Sequence, residues 1–192
     1  MLDLTSRATL TGTPERRSYA AEYEVRGLAN SRVELRGYAS VFATPYEMRD
    51  AFGEYDEVVQ RGAFTTTLAD RADVAYLTNH SGLTMARTLP GSLRLSQDTT
   101  GLLTVAQVNT IRTDVRDLVT AIEDGDVDQM SIGFRVVEQT WSPDYGQRTM
   151  VALDLHRGDV SAVNYGASPT TSVSTSTTGS SSLLDLVLDL TA

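Results

Sequence analysis

The chain contains no cysteine and no lysine. The missing cysteine excludes disulfides, thiolate metal sites and a cysteine nucleophile. The missing lysine excludes Schiff-base chemistry, a lysine general base and a P-loop lysine; all 16 basic residues are arginines. The two histidines, His80 and His156, are too few for a multi-histidine metal centre, and no metal or cofactor is expected. No apolar run approaches the roughly 18–20 residues that span a bilayer. The start, Met1-Leu2-Asp3-Leu4, lacks the basic and apolar regions of a secretory signal, so neither a membrane segment nor a signal peptide is expected. Positive charge is in deficit, at 16 basic against 25 acidic residues and a net charge of −9, which argues against a nucleic-acid binder. Arg16-Arg17 is too short to act as a nucleic-acid arm.

With 41% hydrophobic residues, the 192-residue chain has enough apolar material for one ordinary domain plus tails. Residues 1–16 show no period and read as a flexible arm. The alternation of Tyr19, Ala21, Tyr23 and Val25 predicts a strand, and that of Val33, Leu35, Gly37, Ala39 and Val41 a second, joined by a turn at Ala29-Asn30-Ser31. Residues 44–53 read as a loop, Tyr55–Val59 as a short strand, and Gly62-Ala63-Phe64 as the opening of a short helix. Val74–Leu77 suits a buried strand that ends in the loop Thr78-Asn79-His80-Ser81-Gly82. Gly91–Gln97 and Leu102–Val108 read as paired strands. Ile111, Val115, Leu118, Val119 and Ile122 form one helical apolar stripe, with Asn109 or Thr110 as cap and Gly125 past the end. Met130–Trp141, Arg148–Leu155 and Val160–Tyr165 read as three further strands. The domain thus spans 17–167. A linker follows at 168–182, where twelve of fifteen residues are Ser or Thr, and then a Leu-rich tail at 183–192. The fold class expected is α+β and β-rich: a mostly antiparallel, closed or partly closed β-barrel with flanking helices.

Three places can carry chemistry. His80 lies in a loop after a buried strand, where an imidazole is available as a base. Ser131 sits in Met130-Ser131-Ile132-Gly133-Phe134, with a glycine that lets another group approach, and without a Gly-x-Ser-x-Gly elbow. The segment His156-Arg157-Gly158-Asp159 offers two groups able to orient a base. Each of these alone reads more readily as an ordinary surface, turn or strand residue. The acidic run 123–128 lacks calcium-loop spacing and reads as a solvated helix end.

Taken in order, Gly37-Tyr38-Ala39-Ser40-Val41-Phe42, Gly62-Ala63-Phe64, Asn79-His80, Gly101-Leu102, Ser131-Ile132-Gly133-Phe134 and Asp159-Val160-Ser161-Ala162-Val163 resemble the prohead proteases of tailed bacteriophages. This is the HK97-like serine peptidase family, related to the herpesvirus assembly proteases. The resemblance implies a serine endopeptidase with Ser131 as nucleophile, His80 as general base and Asp159 as third member. A more usual Glu at that place and the second histidine of the herpesvirus relatives keep His156 as the alternative. The Arg157-Gly158 turn is a candidate source of oxyanion donors. It further implies capsid protein and its scaffolding segment as substrates, self-cleavage, residence inside the assembling prohead in the host cytoplasm, and leaves a homodimer open. A non-catalytic assembly protein on the same fold, or an unrelated binding module whose three residues stay apart, are the competing readings.

Overall fold

The computed structural model describes residues 4–9 and 11–165. The chain opens with a short 3-10 helix, Leu4–Thr9, and then runs β1 (Pro14–Ala20), β2 (Glu24–Leu28), β3 (Arg32–Val41), β4 (Tyr46–Asp50) and β5 (Gly53–Val59). After α1 (Thr65–Ala69) come β6 (Ala75–Thr78), β7 (Ser81–Arg87), β8 (Leu93–Gln97) and β9 (Gly101–Asn109). Helix α2 (Thr113–Glu123) leads to the long strands β10 (Gln129–Trp141) and β11 (Gln147–Val163). The β-rich expectation holds. The described strands form a seven-stranded and a four-stranded sheet, and neither closes into the expected barrel.

The larger sheet runs β1-β10-β11-β5-β4, with β6 and β7 added on β11. Strand β11 is its organiser. One edge pairs antiparallel with β10, while the other pairs parallel with β5 through residues 147–150 and with β6 through residues 159–162. Its apolar positions Leu153, Leu155, Val160 and Ala162 are buried, as are Met130, Ile132 and Phe134 of β10. Each such large side chain contributes about 1.5–3 kcal/mol on burial. The smaller sheet, β2-β3-β9-β8, contributes Val33, Leu35, Leu93, Leu102 and Val108 to the same core.

Several expectations are corrected. The alternation from Tyr19 to Val25 is divided between β1 and β2 rather than carried by one strand. The N-terminal segment is not a free arm over 4–9 and 14–16. Arg7 is 4% exposed and donates to the Asp50 carboxylate at 2.6 and 2.8 Å and to the Tyr145 and Gly53 carbonyls. The 44–53 loop contains edge strand β4, and the 78–82 loop is a tight turn followed at once by β7. Ile111 is exposed because α2 begins at Thr113, and the Arg112 cap position makes no side-chain capping bond. The two strands expected at 148–155 and 160–165 are one strand interrupted by a bulge. Gly133 pairs with Asp159 but Arg135 pairs with Asp154, so Leu155–Gly158 oppose a single residue of β10. The linker 168–182 and tail 183–192 lie outside the described residues.

Candidate active site

Ser131 and Asp159 come from adjacent strands, and His80 from the turn that follows a third. Ser131 on β10 pairs with Ser161 on β11, and Asp159 lies two residues along β11, so its side chain is on the same face. Asp159 also pairs with Ala75 on β6. From there the chain reaches His80 in a two-residue turn between paired Thr78 and Ser81. Both turn residues are left-handed, Asn79 at φ 50° and His80 at φ 55°. That is the geometry of the hairpin turn whose twist matches the strands, and Asn suits its first position. A histidine at the second position costs about 1–2 kcal/mol of local conformational energy. The Asn79 amide exchanges hydrogen bonds with the side chain and backbone of Asn164, and the Asn79 N–H donates to the Ala162 carbonyl. These bonds fix the turn against the end of β11.

The three side chains meet. His80 Nδ1 lies 2.6 Å from Asp159 Oδ2, and His80 Nε2 lies 2.7 Å from Ser131 Oγ. Ser161 donates to the same Asp159 oxygen at 2.5 Å. Burial opposes ionisation of Asp159. The hydrogen bonds from His80 and Ser161, with the nearby charges of His80 and Arg16, outweigh it and hold the carboxyl below the usual range. Asp159 is therefore a carboxylate at neutral pH. It accepts from Nδ1–H, and whenever the imidazole is neutral this leaves Nε2 as an acceptor.

Ser131 has a second contact, 3.0 Å from Oγ to the carbonyl of Arg17 on β1. A hydroxyl has one proton. With a neutral His80 that proton goes either to Nε2 or to the Arg17 carbonyl. With an imidazolium, Nε2–H donates to Oγ and the hydroxyl donates to Arg17, and every contact is satisfied. Ser131 has no exposed surface, whereas the His80 and Asp159 side chains are 11% and 13% exposed.

Two glycines make the approach possible. A Cβ on Gly133 would lie 2.6 Å from Asp159 Oδ1, and one on Gly158 would lie 2.0 Å from the Gly133 carbonyl oxygen. The first clears space for the carboxylate, and the second lets the bulge fold onto β10. A cavity of about 400 Å³ is lined by Asp73, Ala75, Thr84, Arg87, Arg157 and Gly158, between the bulge of β11 and the β6–β7 hairpin.

His156, the alternative third member, is exposed in the bulge. Its Nδ1 accepts from the Asp73 N–H at 3.3 Å, and its carbonyl accepts from Arg135. It is not among the groups that touch His80. Of the two amides in the expected Arg157-Gly158 oxyanion turn, that of Arg157 is committed to the Asp73 carbonyl at 2.8 Å. Sequence reasoning missed Ser161 and the Arg17 carbonyl as partners. The first was legible in the two-residue spacing of Asp159-Val160-Ser161, which places both on one face of a strand. The second is a backbone contact with no sequence signal.

No curated protein and no solved structure matches the chain. A family model described as caudovirus prohead serine protease does, over residues 21–185. The matched span contains His80, Ser131 and Asp159, begins just after β1, and covers most of the 192 residues. The chain belongs to the caudovirus prohead serine protease family.

Proposed function

We propose that this family member is an active serine endopeptidase with Ser131 as nucleophile, His80 as general base and acid, and Asp159 as the group that orients and stabilises the imidazole. The observation that carries this reading is the hydrogen-bonded relay Asp159–His80–Ser131, with contacts of 2.6 and 2.7 Å. Ser131 Oγ attacks the scissile carbonyl as its proton passes to His80 Nε2. His80 then protonates the leaving amine, and water releases the acyl group by the same route in reverse. The ionised Asp159 holds Nδ1 protonated throughout and favours the imidazolium that forms.

The substrates we propose are the phage's major capsid protein, at its scaffolding segment, and the protease itself. The Ser/Thr-rich stretch 168–182 is the proposed self-cleavage region, and the Leu-rich 183–192 the proposed docking tail. The test is co-expression with the cognate major capsid protein and intact-mass measurement of both chains, wild type against Ser131→Ala. Trimming at a defined site by wild type alone supports the reading. Identical full-length masses in assembled shells would favour a non-catalytic assembly role.

A further inference from the structure

Strand β1 lies before the span matched by the family model, yet it borders the nucleophile. Its register is regular: Ser18 opposes Ser131 and Arg16 opposes Gly133. Because alternate residues of a strand share a face, Arg16, Ser18, Ser131, Gly133, Asp159 and Ser161 project to one side of the sheet. A row thus crosses five strands: Arg16, Gly133, Asp159, Ala75 and Arg87. His80 enters this face from the β6 side of Ser131, and Arg16 stands on the β1 side. The glycine between Arg16 and Asp159 adds no side chain of its own, and the Asp159 carboxylate extends over it toward β1.

Arg16 is exposed, and its guanidinium has no hydrogen bond or ion pair among the described residues. It is close enough to Asp159 for its charge to help hold that carboxylate ionised. Its neighbour Arg17, by contrast, is buried and fully engaged. From the diagonal position to Ser131 a long side chain reaches atoms placed above the serine. The reaction needs a donor there. As the Oγ–C bond forms, the carbonyl π pair moves onto oxygen while the hydroxyl proton moves to His80. The oxygen's charge must be held until the C–N bond breaks and the amine takes the proton from His80. Residues 129–133 are paired with β1 on one side and β11 on the other, so their amides serve the ladders. The Arg157 amide is engaged as well.

We propose that the Arg16 guanidinium is the catalytic residue that hydrogen-bonds the substrate's carbonyl oxygen and the oxyanion formed from it, on the side of Ser131 away from His80. The inference rests on the serine-protease reading above.

The test uses proheads assembled by co-expression and a fluorophosphonate probe, whose attack by Ser131 develops the same charge on oxygen. The labelling rate is read by intact mass for wild type, Arg16→Gln, Arg16→Lys and Ser131→Ala across a pH series, with thermal melts to verify folding. We expect Arg16→Gln to slow labelling by about 10²–10³-fold at every pH, with Arg16→Lys losing less and melting temperatures unchanged. If Arg16 acts only by sustaining the Asp159 charge, the loss is confined to acidic pH and disappears on the alkaline plateau, which overturns the proposal. Labelling of Arg16→Gln within threefold of wild type overturns it too and leaves the serine-protease reading intact. Wild-type labelling no faster than that of Ser131→Ala removes both.

Discussion

Arg16 and Arg17 are adjacent in sequence and belong to different structures. Arg16 faces the His80–Ser131–Asp159 site, while Arg17 turns to the other face of β1 and is buried against Glu57, which has no exposed surface. Both Glu57 oxygens are occupied: Arg17 donates to them at 2.5 and 2.9 Å, Arg148 at 2.7 Å, and the Tyr46 hydroxyl also donates. Glu15 bridges the same two arginines at 2.6 and 2.9 Å. That cluster pairs two carboxylates with two permanent cations, and each group has several partners. The relay on the opposite face, with Arg16 at its edge, has one carboxylate, a titratable imidazole, and a serine proton with two competing acceptors. A saturated network has one arrangement and holds β1, β5 and β11 together. A network with one proton too few for its acceptors has two arrangements, which a proton relay requires.

The largest effect that separates the two faces is Ser131→Ala. Cleavage should fall on the order of 10⁴–10⁶-fold, while the unfolding midpoint in denaturant stays close to wild type, because only one hydroxyl is lost. Asp159→Asn comes next, with a loss on the order of 10⁴-fold in capsid-protein cleavage, from the wrong imidazole tautomer. It also carries a pH signature. The folded Asp159 carboxyl titrates below its ordinary value. Its contribution to stability is therefore fully present above about pH 4 and is lost as pH falls through the lower folded value. The gap in melting temperature between wild type and Asp159→Asn should narrow as pH drops below about 4. A gap that widens there would contradict the ionised state.

The reverse dissociation comes from the other face. Glu57→Gln leaves Arg17 and Arg148 buried with one carboxylate fewer, and should cost about 3–5 kcal/mol in denaturant unfolding. Molecules that remain folded should keep the site, so labelling per folded chain should change little. Gly133→Ala is smaller and acts on the site. Its methyl would overlap Asp159 Oδ1 and displace the carboxylate from His80. We expect about a 10²-fold loss of cleavage, as for an ångström-scale misplacement, with about 1–3 kcal/mol of destabilisation. Equal cleavage by Gly133→Ala and wild type would mean that the carboxylate does not need its observed position.

What could be read from the sequence follows the same division. Regular alternation made β3 and β9 visible, and the stripe Val115, Leu118, Val119 and Ile122 made α2 visible, because these elements bury one face in a simple period. His80, Ser131 and Asp159 were legible through a resemblance, since each alone is an ordinary loop or strand residue. The Glu57 cluster was not legible. Residues 1–16 read as a flexible arm ending just before Arg17, and the burial of Arg17 depends on a carboxylate forty residues away. The bulge at Leu155–Gly158 interrupts the alternation of β11 and made one strand look like two. The choice between Asp159 and His156 stayed open for a different reason: the herpesvirus relatives use a second histidine as third member, and the more usual residue at this place is Glu rather than Asp.

That choice yields the smallest expected effect. His156 is exposed, and its ring accepts one long backbone hydrogen bond from Asp73, whose carboxylate is already paired with Arg87. A bulge shaped by Arg157 at φ 59° and by the contact of Gly158 with β10 carries it away from His80. An exposed residue with one weak contact contributes within about 0.5 kcal/mol, so His156→Gln should leave cleavage of the capsid protein within about twofold of wild type. The informative comparison is with Asp159→Asn in the same assay. If His156 took over the orienting role when the carboxylate is neutralised, the double variant would be far slower than Asp159→Asn alone. If the site works as the contacts stand, the double and single variants should cleave at the same rate, because the imidazole at 156 bonds to Asp73 and the one at 80 to Asp159 and Ser131.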